Sequence, residues 1–212
     1  MLPFLPNRLD RRWKALAVAL ALVAAAAIAV FATNLGRPKG QWMSDPKTGC
    51  RIWDDLPEPD QSVSWSGPCK DGLADGRGVA QWTIKGKPED RYEGEMRGGK
   101  MAGTGILSFP NGMRYEGEFR NNTYTGHGRL TYSNGDVYVG EFLDDHRSGK
   151  GTLFMKDGQQ YVGGWNMNMP DGPGTLTRPD GTSASGMWKK GCLKEGAMKG
   201  FLIATARECK ID

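Results

Sequence analysis

At 212 residues the chain is long enough for one ordinary domain with a modest core. Its 31 glycines are about twice the usual share of roughly 7%. They follow no Gly-x-y period and sit among 7 tryptophans and 6 tyrosines, which excludes collagen and a disordered chain. The formal charge of +4 is concentrated ahead of Gly40, where Arg8, Arg11, Arg12, Lys14, Arg37 and Lys39 face only Asp10, leaving −1 for the rest. A nearly neutral body has no electrostatic footprint for nucleic acid, so no nucleic-acid partner is expected.

Residues 1–14 read as a basic cytoplasmic tail and 15–34 as a transmembrane anchor or signal segment. Ala15 to Ala32 is an apolar run of eighteen residues with no apolar-free face. As a helix rising about 1.5 Å per residue it reaches roughly 27 Å, just enough for a bilayer core. Trp13 stands where an interfacial aromatic belongs, and the preceding basic residues place the N-terminus in the cytoplasm. An uncleaved anchor puts the body in the periplasm, held at the inner membrane. Cleavage near Val30-Phe31-Ala32 yields a secreted or periplasmic protein instead.

Residues 35–49, with Gly36, Pro38, Gly40, Pro46 and Gly49, read as a linker. Four cysteines follow at the ends of the body, none in a C-x-x-C metal spacing. Four cysteines allow three connectivities. Hairpins that stack in chain order keep the two ends apart, which favours Cys50 with Cys69 and Cys192 with Cys209. Each bridge would contribute roughly 3 kcal/mol and fits an oxidising compartment.

The body is repetitive. Tyr92, Tyr115, Tyr138 and Tyr161 recur every twenty-three residues, opening the phrases YEGEM, YEGEF, YVGEF and YVGGW. Glycine pairs follow at Gly103/Gly105, Gly126/Gly128, Gly149/Gly151 and Gly172/Gly174, and then a leucine at Leu107, Leu130, Leu153 and Leu176. Each unit closes on Asn-Gly or Asp-Gly, a hairpin signal between short apolar-alternating runs. A degenerate copy runs from Trp65 through Gly67, Gly76 and Gly78 to Trp82, and a half copy spans Ala184–Trp188.

At these residues the chain resembles the MORN (membrane occupation and recognition nexus) repeat. The resemblance implies an all-β fold, an elongated antiparallel sheet of β-hairpins, here preceded by one N-terminal transmembrane helix. It divides the body into an N-terminal cap and degenerate first repeat (50–91), four repeats (92–183), and a half repeat with a C-terminal cap (184–212). Phe201-Leu202-Ile203-Ala204-Thr205 reads as a closing edge strand. The terminal cysteine pairs also resemble those of exported, membrane-anchored bacterial MORN proteins.

Register follows from burial. A two-residue Asn134-Gly135 loop leaves Leu130 and Tyr132 on the face opposite Tyr138. A three-residue loop, Ser133-Asn134-Gly135 with Gly135 left-handed, pairs Leu130 with Tyr138 and gathers Leu130, Tyr132, Tyr138 and Phe142 on one face. One-sided burial selects the latter. The expected repeat core is Tyr92, Tyr115, Phe119, Tyr138, Phe142, Tyr161 and Trp165. Glu116, Glu118, Val139 and Glu141 fall on a solvated face.

Little in the sequence points to catalysis. His127 and His146 are expected in loops, without partners for a metal, and no nucleophile elbow, H-E-x-x-H or P-loop occurs. Glu95, Glu118 and Glu141 form a ladder, with Gly164 at the fourth position. Paired acids suit glycoside hydrolysis, but a repeated motif copies its surface residues as well as its core. Trp65, Trp82, Trp165 and Trp188 occupy repeat positions and read first as packing. In the alternative reading Trp65, Trp82 and Trp188 join these glutamates as a candidate ligand surface, which requires the tryptophans exposed for stacking on sugars or a peptide. Neither metal, cofactor nor enzymatic activity is expected. The sequence reads as a membrane-tethered, extracytoplasmic scaffold for a protein or cell-envelope polymer. The alternatives are a carbohydrate-binding or polysaccharide-modifying protein and a phospholipid-binding module, although no phosphoinositide-type basic cluster is present.

Overall fold

The computed structural model describes residues 40–193 and Cys209. The expected tail, membrane segment and Phe201–Thr205 strand lie outside the described residues. Among the described residues no helix is long and apolar enough to cross a membrane. The chain divides into two compact units, and the one formed by Trp42–Asp54 and Glu58–Asp212 holds the architecture described below.

Within it a four-stranded sheet joins β1 (Gln41–Ser44), β2 (Arg51–Asp54), β5 (Leu73–Ala74) and β4 (Cys69–Lys70), in that order. The expected linker therefore already carries a strand, and Asp45 is the reason. Its buried carboxylate accepts the amides of Lys47 and Trp65 at 2.7 and 2.8 Å, and that of Thr48 at 3.3 Å. Burial alone would raise its pKa, but these donors outweigh burial and hold it below the ordinary value. A Cys50–Cys69 bridge ties the residue ahead of β2 to the edge strand β4, and Cys192 is bridged to Cys209.

The second sheet has twelve strands. It begins with β3 (Gln61–Trp65), β6 (Gly76–Ile84), β7 (Lys87–Arg97) and β8 (Lys100–Ser108). Next come β9 (Arg114–Arg120), β10 (Thr123–Thr131), β11 (Val137–Leu143) and β12 (His146–Phe154). β13 (Gln160–Asn166), β14 (Met169–Thr177), β15 (Ser183–Lys189) and β16 (Cys192–Leu193) complete it. Each strand pairs with its chain neighbours, apart from β3 joining β6 directly, so the sheet is elongated and antiparallel.

Leu130 pairs with Tyr138, and the Tyr132 amide donates to Asp136 across Ser133-Asn134-Gly135, with Gly135 at φ +95°. The register is thus that of the three-residue loop. Hairpins at the opposite edge turn through two left-handed residues, among them Asn121-Asn122, Asp144-Asp145 and Met167-Asn168. Left-handed pairs of this kind match the natural twist of the strands. The second residue of each such turn also fastens one repeat to the one before. Asn122, Asp145 and Asn168 accept the amides of Met101, Tyr124 and Arg147 through their side chains at 2.7, 2.7 and 2.8 Å. Their own amides donate back to those residues' carbonyls.

One face of the sheet is the core. Tyr92, Tyr115, Tyr138 and Tyr161 are fully buried, and each ring lies over a cross-strand glycine pair, such as Gly140 opposite Gly151 beneath Tyr138. A methyl group at either glycine would drive into the ring. The hydroxyls donate to the carbonyls of Glu95, Glu118, Glu141 and Gly164 at 2.7–3.2 Å. Burial therefore costs no unpaired donor. The tyrosines alternate with Phe119, Phe142, Trp165 and Trp188 in edge-to-face contacts at centroid separations of 5.1–5.3 Å. Such pairs add roughly 0.5–1.5 kcal/mol each beyond area burial. Burial raises all four tyrosine pKa values, that of Tyr161 to about 12 with help from the Asp171 charge.

Candidate functional site

With one face consumed by packing, the other face is the surface open to a partner. Its central row runs across the strands as Glu93, Ile106, Glu116, Arg129, Val139, Thr152, Val162, Thr175 and Ser185. The N-terminal half is charged, with Arg91–Glu93 and Arg114–Glu116 pairs at 2.8 and 2.7 Å. From Val139 onward the row carries no charge.

The glutamate ladder has a backbone task that explains its repetition. Each G-x-G opens a β-bulge whose first glycine is left-handed, at φ +58° for Gly103 and +57° for Gly126 and Gly149. The bulge leaves one strand amide without a ladder partner. Glu118 accepts the His127 amide and Glu141 the Lys150 amide, both at 2.9 Å. A methyl group on Gly103, Gly126 or Gly149 would strike the carboxylate of Glu95, Glu118 or Glu141. Glu118 and Glu141 are latches on bulges, a role that sequence reasoning missed. The constant offset from each glutamate to its left-handed glycine was the available signal.

The fourth repeat departs from this pattern twice. Gly164 stands where the glutamate should be, and Pro173, which has no amide hydrogen, stands in place of the donor. The latch and the group it would hold are lost together. Gly172 relaxes to φ +97° with nothing within 4 Å of where a β-carbon would sit, and an apolar groove of about 380 Å³ opens there. Lys150, Thr152, Val162, Gly164 and Pro173 line it. Val162 and Met187 beside it are 49% and 52% exposed.

Of the two readings of the tryptophans, packing holds and the exposed stacking surface is corrected. Trp65, Trp82 and Trp188 are only 3%, 7% and 1% exposed, because each sits on the core face among the aromatics. The indoles of Trp165 and Trp188 donate to the carbonyls of Gly151 and Gly174, occupying their polar edges. The histidines are corrected as well. His127 lies within β10, and His146 opens β12 rather than standing in a loop. Among the described residues no cluster of His, Cys, Asp or Glu could hold a metal ion.

A second cavity, of about 430 Å³, opens between the β10–β11 hairpin and β12. It is lined by Tyr132, Ser133, Asn134, Asp136, Arg147 and Met155, with Leu153 at its back. The Arg147 guanidinium stacks on Trp165 at 4.4 Å and stands 5.7 and 5.8 Å from the Tyr138 and Tyr132 ring centres. Its presence on the core face was not legible in advance.

Comparison with known proteins adds the following. The family model of the MORN repeat matches residues 70–87, 92–114, 115–137, 138–160 and 161–183. A search of curated proteins finds no match. Among solved structures, the chain is similar to the SAS-4 (dCPAP) TCP domain of Drosophila melanogaster, in complex with a proline rich motif of Ana2 (dSTIL). Identity is 17% over 71% of this chain and 90% of that one, at a TM-score of 0.30. The TCP10 domain of Danio rerio CPAP, in complex with a peptide of STIL, gives 13% identity over 77% and 100%, at 0.21. Likeness at that level carries no argument about function.

Proposed function

This chain belongs to the MORN-repeat family, and from that premise we propose that it is a membrane-tethered, extracytoplasmic docking module, not an enzyme. It holds a protein partner on the open face of the sheet. The observation that carries this reading is the division of labour between the two faces. The repeat tyrosines with Phe119, Phe142, Trp165 and Trp188 are spent on one face, while the other exposes Val139, Phe154, Val162 and Met187, with an apolar groove at Val162. Exposed apolar groups gathered on a polar sheet suit a partner surface. The tether is the Ala15–Ala32 run with its basic flank. Two disulfides support an oxidising location.

The test is capture from an envelope extract by the full chain held in detergent, with the Val162→Glu variant as control. A discrete protein retained by the parent chain and lost in the variant supports the module. Cleavage of envelope polysaccharide that disappears in Glu118→Gln overturns it in favour of a hydrolase. Retention on phospholipid vesicles with no protein partner overturns it in favour of lipid binding. Topology is checked with a reporter active only in the periplasm, fused after Asp212. The proposal expects activity there, and activity of a cytoplasm-only reporter at that position removes the tethered orientation.

A further inference from the structure

Arg147 is out of pattern. The equivalent positions in the neighbouring repeats are Met101, Tyr124 and Pro170, all of them packed on or near the core face. Here the same place holds a cation, half-buried and laid against Tyr132, Tyr138 and Trp165. One Nη donates to the Asn168 carbonyl at 2.6 Å. The Nε is buried and has no hydrogen-bond partner among the described residues. Among those residues no carboxylate stands within ion-pair distance of the guanidinium. Asp136 lines the same cavity, but its two oxygens are taken by the Lys156 amide and the Asn134 side chain, each at 2.8 Å. A half-buried cation with no carboxylate in ion-pair contact is costly, and the nearby Asp136 charge offsets only part of that. Burial accordingly lowers the arginine's pKa, although a guanidinium keeps its proton at any ordinary pH.

We propose that the cavity beside Arg147 is a binding site for a carboxylate, supplied by an aspartate or glutamate side chain of a partner protein. The walls fit that chemistry. Tyr132 and Ser133 offer hydroxyls, Arg147 offers the charge, and Leu153 and Met155 offer an apolar floor for the methylene stem. The volume falls within the roughly 300–1,000 Å³ of ordinary ligand pockets. One cation stands beside one acid, Asp136, in this cavity, so a monoanion meets less repulsion there than a dianion. A phosphate dianion would carry excess charge towards Asp136. Trp165, Tyr138 and Tyr132 hold the guanidinium plane in place, so little side-chain freedom is lost when the acid arrives. The proposal rests on the reading of this chain as a protein-docking module and adds a second contact, on the core face of the sheet. It concerns a different place from the apolar groove at Val162.

The test is a titration of the full chain in detergent, followed by the NMR signal of the Trp165 indole N–H. The probe is the capped peptide acetyl-Gly-Leu-Glu-Gly-amide, with its Gln counterpart and inorganic phosphate as comparisons. The expected result is saturable perturbation by the Glu peptide, with the Gln peptide weaker by about tenfold, the scale of one charge-assisted hydrogen bond. Arg147→Met, which restores the residue type of Met101, should abolish that discrimination while the melting curve stays close to the parent's. If Arg147→Met unfolds, Arg147→Lys decides, since a retained charge should keep a weakened preference for Glu. Equal response to the Glu and Gln peptides, tighter binding of phosphate, or discrimination that survives Arg147→Met overturns the proposal. A captured protein whose retention needs Val162 but is indifferent to Arg147→Met would leave the docking module standing and remove only this site.

Discussion

The third and fourth repeats share one core and differ on everything laid over it. Tyr138 and Tyr161 occupy equivalent buried places over glycine pairs, and Trp165 touches both. In the third repeat Glu141 latches the Lys150 amide, and Asn168 accepts the Arg147 amide. In the fourth, proline occupies both donor positions, Pro173 and Pro170, and glycine both acceptor positions, Gly164 and Gly191. Only the backbone link from the Gly191 amide to the Pro170 carbonyl remains, at 2.9 Å. The difference teaches that these side-chain acceptors exist to satisfy particular amides. Where proline removes the amide, the acceptor becomes dispensable, and the surface it covered opens as a groove.

The largest expected effects test the shared core. Tyr138→Ala and Tyr161→Ala should each cost about 3–5 kcal/mol in urea unfolding, as for other buried aromatics. A much smaller loss at Tyr161 would mean that the fourth repeat is not held by the same packing.

Alkali acts on the same residues. Their folded pKa values are raised, so the stabilising preference for the neutral phenol is complete below about pH 10, the ordinary tyrosine value. It is lost as the pH climbs towards the folded values, which for Tyr161 is about 12. Absorbance of tyrosinate should therefore lag behind that of free tyrosine and then appear together with loss of the sheet signal in circular dichroism. Titration of all the tyrosines near pH 10 without unfolding would contradict their burial.

A side chain on Gly164 would meet the Asp171 carbonyl. Gly164→Glu alone should cost about 1–3 kcal/mol. The double change Gly164→Glu with Pro173→Lys supplies the missing amide and should recover part of that loss. Strict additivity of the two changes in a double-mutant cycle would break the matched-pair account.

The smallest effects separate latch from surface. Glu141→Ala should cost about 1 kcal/mol because it strips the Lys150 amide of its acceptor. Glu116→Ala, whose pair with Arg114 is exposed, should stay within about 0.5 kcal/mol. Equal losses would return the ladder to the status of copied surface residues.

The repeat period, hairpin register and core face were legible in the sequence because each is imposed locally. A tyrosine two residues from a glycine, a leucine in phase and an Asn-Gly turn leave only one register that buries everything apolar on one side. The cysteine pairing was legible for a related reason, since a sheet built in chain order keeps its ends apart. The strand inside the expected linker was not legible. Asp45 gains its meaning from the Trp65 amide, twenty residues away.

The site was less legible than the fold. Tryptophans and glutamates stand out in a sequence because they are chemically conspicuous, but their availability depends on which face they occupy and what they already hold. Trp65, Trp82 and Trp188 are spent in the core, and Glu118 and Glu141 on bulge amides. Nothing in the sequence marked Arg147, which acquires its place only when folding lays it on three rings.

The sequence by itself determined the family, the all-β architecture and the buried tyrosine row, because period and alternation act between residues close along the chain. Only the tertiary structure decided which acids are latches, where the open face becomes apolar and which cation is laid on aromatic rings. Those properties arise between neighbouring strands, where an amide, its acceptor and the space left by their absence come from different turns of the chain.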